Sequence, residues 1–345
     1  MNFLDVLITV VFLLILMIPG FILIKCNMIS DSVQNGFSTM VLYVCQPALM
    51  LMAFQNKEYS SELAVNMLIV AGLALLIHAV MIAFMMLVFK NKTNGKEKDG
   101  GSDEQTKAHN AKINCLRFAS VFGNCGYMGL PFLQSLFTGS YANEVLIYGG
   151  VVITIFNILT WSVGVFMMTG DKKQINIKNM LLNPTVISLL IAILMFFIIQ
   201  KPLVDICPDG TFGDKIFHHL TKSITFLADM VTPLAMTVLG MKIARANVKQ
   251  LFTDKWAYVN AFNKLIIMGL ITILIVAWLP VSNVVKYALF FLLSMPSANN
   301  TVLFAVNFGG DAESGSVFVL LSTVLSILTI PLMFLLMNGV FAIPI

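Results

Sequence analysis

The chain has 345 residues, 58% of them hydrophobic and 11% charged, with a mean hydropathy of +0.89 and a formal net charge of +4. Soluble globules carry about a quarter charged residues, so this composition excludes one and describes a multi-pass protein of the lipid bilayer. The basic excess is spread between apolar runs instead of being gathered on one face, which leaves nucleic-acid binding without support.

About 20 apolar residues cross the ~30 Å of hydrocarbon in a bilayer. Runs of that length predict about ten spans, at residues 3–24, 32–53, 64–89, 113–137, 144–168, 181–200, 220–243, 256–279, 286–308 and 315–338. The first has no basic residues ahead of it and stays apolar through Ile24, too long for a signal peptide, so it reads as a span. Span 2 holds Gln46-Pro47 and span 7 holds Pro233, each late in its span, where a proline kinks or breaks the helix. Span 3 holds a lone His78, which serves either as a packing residue or as a titratable group near neutrality. The hydrophilic stretch from Lys90 to Lys112 reads as a mobile linker loop.

Spans 4 and 9 are each interrupted. Span 4 carries Phe122-Gly123-Asn124-Cys125-Gly126-Tyr127-Met128-Gly129-Leu130-Pro131, and span 9 carries Met295-Pro296-Ser297-Ala298-Asn299-Asn300-Thr301. Non-helical backbone at membrane depth survives only where protein or a water-filled cavity satisfies its freed N–H and C=O groups. The two breaks, with Gly123, Pro131 and Pro296 as their structural cause, therefore mark the expected binding site. Asn124, Cys125, Gly126, Pro296, Ser297, Asn299 and Asn300 are the candidate substrate-binding residues. A half-helix starting in mid-membrane offers unpaired N–H groups and the positive end of its dipole, a setting for an anion. The competing reading is that the asparagines only cap the broken helices.

Asp229 in span 7 and Lys264 in span 8 are ionisable residues inside spans, and burying a lone charge there is costly. They are expected to pair, to snorkel or, with His78, to act in coupling. Asn157, Thr154 and Thr160 in span 5 and Ser322, Thr323 and Ser326 in span 10 read as hydrogen bonds between helices. Cys26, Cys45, Cys115, Cys125 and Cys207 fall singly with no metal-ligand spacing, so neither a metal nor a cofactor is expected.

Fifteen Lys and Arg fall in one set of loops and five in the other. By the positive-inside rule both termini lie outside, with the loops at 90–112 and 170–183 cytoplasmic. Five spans per half, with breaks at equivalent positions, make residues 1–170 and 171–345 two repeats of opposite orientation, the pattern of a secondary transporter with its site at the midplane.

Gly123-Asn124 with Met128-Gly129-Leu130-Pro131, Pro296, Leu227-Ala228-Asp229 with Leu234-Ala235-Met236 and Leu239-Gly240, and Gln46-Pro47 together resemble the auxin efflux carrier family. That family includes the plant PIN-FORMED proteins and bacterial permeases for small carboxylates. The resemblance implies an all-α membrane protein of two inverted five-helix repeats, in which helices 4 and 9 unwind and cross. It implies elevator-like alternating access for an organic anion, malate-like or auxin-like, often in a homodimer, with proton or sodium coupling as candidates. It also implies a basic residue near Lys264 and a cell-membrane location. Gly123 stands where the plant proteins have a crossover proline, and Gly170 to Asn183 is far shorter than their central loop, which points to a small permease of the microbial type. A sodium-coupled symporter resembling the bile acid group is the alternative. A channel would need a filter-like run, and a membrane-embedded enzyme would need GxSxG, HExxH or paired aspartates, none of which occurs.

Overall fold

The structure is a computed structural model that describes residues 3–91, 102–175, 178, 182–245 and 248–341. Among them the secondary structure is helical, as it must be where hydrocarbon offers the backbone no partners. In chain order the α-helices are α1 (Phe3–Lys25), α2 (Asp31–Met40), α3 (Gln46–Gln55), α4 (Ser61–Val88), α5 (Ser102–Val121), α6 (Leu130–Leu136), α7 (Ser140–Leu159), α8 (Val165–Thr169) and α9 (Pro184–Ile198). They continue with α10 (Phe212–Asp229), α11 (Val231–Arg245), α12 (Val248–Thr253), α13 (Lys255–Phe262), α14 (Met268–Ala277), α15 (Asn283–Leu293), α16 (Asn300–Phe308) and α17 (Ala312–Phe341). Short π-helical stretches join α2 to α3, α7 to α8 and α13 to α14, so that each pair makes one passage.

Eight described stretches are long and apolar enough to cross a membrane. The passages expected at 113–137 and 286–308 are not among the eight because each is interrupted: α5 stops at Val121 and α15 at Leu293. The turns that follow both broken passages use a left-handed glycine, Gly139 at φ 67° and Gly309 at φ 74°, a conformation that a side chain disfavours. Large apolar side chains face outward along α1, α4 and α9, among them Ile8, Leu68 and Ile198, and form a surface suited to lipid.

The prolines act differently from position to position. Pro47 and Pro131 fall in the first turns of α3 and α6, where the missing N–H is no loss. Each follows a π-helical turn, at Val41–Cys45 and Cys125–Gly129. Pro233 comes just after the one-residue turn at Met230 between α10 and α11, which together still form one stretch long and apolar enough to cross a membrane.

One expectation needs correction. The stretch from Lys90 to Lys112 is not a loop throughout, because Ser102 to Lys112 belongs to α5; residues 92–101 lie outside the described residues. Composition concealed this helix, since Ser102, Asp103, Thr106, His109 and Asn110 are weak helix formers and its partner lies far away in sequence. Lys112 Nζ stands 2.8 Å from Asp254 Oδ2, and Asp254 Oδ1 also caps α13 by accepting from the Trp256 N–H at 3.0 Å. Asp254→Ala removes cap and ion pair together, and melting of the purified protein should show a loss of about 1–2 kcal/mol.

Candidate functional site

The two breaks meet. Gly123 and Ser297 form an isolated antiparallel bridge. The Asn124 N–H donates to Pro296 O at 2.7 Å and the Ala298 N–H to Phe122 O at 2.9 Å. Each break thus supplies the partners that the other needs at membrane depth, and neither conformation stands without its counterpart.

Beyond the bridge the chain resumes helix on both sides. Asn124 precedes the π-turn that leads into α6, and Asn299 precedes α16. Both new helix starts face one cavity of about 170 Å³, lined by Asn124, Cys125 and Gly126 from the first break and Ala298, Asn299 and Asn300 from the second. Gln46, at the start of α3, completes it, and Phe156, Trp161 and Phe304 form an aromatic wall. Among the described residues no charged side chain lines this cavity. Three amide nitrogens in its lining, Gln46 Nε2, Asn124 Nδ2 and Asn299 Nδ2, are buried without a hydrogen-bond partner among the described residues. Buried polar groups are nearly always paired, so three unpaired amides around one cavity stand out among the described residues. Gly126 makes room for one of them: a Cβ there would stand 3.0 Å from Gln46 Nε2.

Not every expected residue lies at this cavity. Pro296 and Ser297 are outside its lining. Ser297 is held in a buried network instead: its N–H donates to Ser322 Oγ at 3.1 Å, and its Oγ accepts from Asn260 Nδ2 at 2.9 Å. Asn260 also donates to Phe318 O and accepts from Ser120 Oγ, so a single amide ties the second break to α5 and α17. Cys125 is at the cavity, with its thiol donating to Leu292 O at 3.3 Å. Asn157, read as structural, lines the cavity and accepts from Asn183 Nδ2 at 3.2 Å.

Asp229 stands apart from the other two ionisable residues, while His78 and Lys264 lie near enough to interact electrostatically. Asp229 is exposed at the α10–α11 junction and makes no ion pair among the described residues. Lys264 is fully buried, with Nζ donating to Val121 O at 3.2 Å and to Leu293 O at 2.9 Å. These are the last residues of α5 and α15, so the ammonium sits against both helix C-termini and outside the lining of the cavity. The pairing of Lys264 with Asp229, held open by the sequence, is not formed. His78 is fully buried too, its Nδ1 2.7 Å from Ala74 O and its ring 6.0 Å from that of Phe122. It packs behind the first break and does not line the cavity.

Sequence reasoning missed Gln46 and Asn260 as site-building residues. A signal existed for both. Gln46 is a polar residue next to Pro47 inside an apolar span. Asn260 lies four residues before Lys264 and so shares its helix face.

The family description "Membrane transport protein" matches residues 5–334. An uncharacterized transporter of Methanocaldococcus jannaschii is 22% identical over 332 residues, covering 94% of this chain and 96% of the relative. With paired broken passages inside a helical membrane protein, and a family match that runs across almost its whole length, the chain is a membrane transporter that belongs to the membrane transport protein family, the family of the auxin efflux carriers.

Proposed function

We propose that this transporter is a secondary carrier for a small organic anion, whose carboxylate binds in the cavity where the two breaks meet. The observation that supports the reading most is the convergence of Gln46 Nε2, Asn124 Nδ2 and Asn299 Nδ2, all buried and unpartnered, on a cavity that two helix N-termini also face. Helix N-termini carry roughly half a positive elementary charge each, and N–H donors held in low dielectric bind an anion more strongly than they would in water. A carboxylate then needs no fixed cation in the lining, and none is there among the described residues. The apolar and aromatic remainder of the wall suits the carbon skeleton of an organic acid.

Alternating access follows in this reading from movement of the crossover against the helices around it, with 1–170 and 171–345 as inverted repeats in the cell membrane. A thermal-shift screen of the purified protein against mono- and dicarboxylates tests it, since a ligand that binds the folded state must stabilise it. Counterflow of the strongest stabiliser in proteoliposomes then separates carrier from channel. If no organic acid raises the melting temperature, the proposal fails.

Two expected results belong here. Gln46→Ala and Asn124→Ala each weaken binding of the identified acid by about 1.5–3 kcal/mol, roughly tenfold to more than a hundredfold, with little change in folding. If both bind it as the unmodified protein does, the amides are only structural. For orientation, Lys172→Cys, at an exposed position, should react with an impermeant thiol reagent from the cytoplasmic side alone. Labelling from outside in intact cells would reverse the assignment of both termini to the exterior.

A further inference from the structure

We propose that Lys264 is a resident cation filling a carbonyl site between the C-terminal ends of α5 and α15, so that the crossover holds no exchangeable metal cation. For its bearing on transport this rests on the carrier reading above; its test does not.

The geometry is that of a cation site. A helix C-terminus leaves its last carbonyls without intrahelical partners and carries roughly half a negative elementary charge. Ends of this kind, when they fall inside a membrane, are where carriers coordinate sodium or protons. Here two such ends converge, and Lys264 Nζ donates to the terminal residue of each, Val121 O at 3.2 Å and Leu293 O at 2.9 Å. No acidic side chain pairs with Lys264 among the described residues. Two half-charges together amount to roughly one elementary charge, which matches one ammonium.

The surrounding chain is shaped to admit the lysine. Lys264 lies in the π-helical stretch Asn263–Ile267, a local widening of the helix. Gly123 lies directly beside the ammonium: a Cβ there would stand 2.9 Å from Nζ, 3.1 Å from Cε and 3.2 Å from Met295 O. A side chain at 123 and a lysine at 264 therefore compete for one space. The glycine at the crossover is explained by the lysine that reaches past it. The crossover thus has two faces of opposite polarity. Helix N-termini and amides look toward the cavity, while helix C-termini look toward a cation that is covalently part of the chain and cannot leave with the substrate.

The test is the melting temperature of the purified full-length protein in sodium, lithium or choline chloride at equal ionic strength, for the unmodified chain and for Lys264→Ala. The unmodified chain should melt at the same temperature in all three salts. Lys264→Ala should melt several degrees lower in choline and recover, in a saturable manner, on titration with ethylammonium or sodium, which fit the vacated space where choline does not. Three results overturn the proposal: saturable stabilisation of the unmodified chain by sodium over choline, a Lys264→Ala variant as stable as the original, or a folded but destabilised variant that no small cation restores. If Lys264→Ala does not fold, Lys264→Gln decides, because it keeps an N–H donor without the charge. Melting unchanged in that variant overturns the proposal, and a fall of several degrees upholds it. A failed search for an organic-acid ligand would leave every one of these readings unchanged.

Discussion

Lys264→Met lowers the stability of the folded protein by about 2–5 kcal/mol, because each of the two buried carbonyls it leaves without a donor costs about 1–3 kcal/mol. The methionine keeps most of the stem volume, so the loss reports the ammonium and not a cavity. Deleting a buried charge also removes its desolvation penalty, which holds the net cost below that of stranding a partner ion. The sequence offered another account, in which Lys264 neutralises Asp229, and the two accounts predict different double-variant behaviour. With Asp229 exposed and Lys264 bonded only to carbonyls, Asp229→Asn should be nearly silent. Its effect should add to that of Lys264→Met within about 0.5 kcal/mol. Melting of the two single variants and the double variant checks this, and a coupling energy well above that figure would bring the ion pair back.

The breaks were legible because Gly, Asn and Pro in mid-membrane announce non-helical backbone whatever surrounds it. Their mutual pairing was not, since the bridge between Gly123 and Ser297 is made by backbone groups that every residue carries. The same blindness hid the partners of Lys264. Side-chain bookkeeping looks for a carboxylate to match a buried lysine, yet here the negative charge comes from two helix ends whose meeting only the fold brings about. Ser297 shows the converse: its hydroxyl looked available for a ligand, and Asn260, 37 positions away, takes it up. In the sequence Gln46 stands out only for its proline neighbour, and the fold is what carries its amide to the cavity wall beside Gly126. The helix over Ser102 to Lys112 was hidden by averaging a long hydrophilic stretch as a single unit.

Gly240→Leu and Gly20→Leu each cost about 3 kcal/mol or more, at or beyond the upper end of ordinary overpacking, because the obstacle is backbone. A Cβ at Gly20 would overlap Thr237 O and lie 2.8 Å from Thr237 C, and one at Gly240 would overlap Met17 O and lie 2.8 Å from Met17 C. Thr237 is three residues before Gly240 and Met17 three before Gly20, so the two contacts are reciprocal and bring the α1 and α11 backbones together at a single crossing. Between membrane helices, which gain nothing from the hydrophobic effect against lipid, such close approach at small residues is a main source of attraction. A flexible side chain in the way could rotate aside, but a carbonyl moves only with its helix. The helices must therefore separate along the whole contact. Two features separate this from a general dislike of substitution. Gly72, inside α4 with nothing within 4 Å of its Cβ position, should accept alanine and gain up to about 1 kcal/mol in helix propensity. The milder pair Gly20→Ala and Gly240→Ala should be less than additive, since the first substitution already opens the crossing for the second. Melting temperatures that fall equally for Gly72→Ala, or strictly additive losses for the pair, would show that the α1–α11 crossing does not depend on backbone contact at these two glycines.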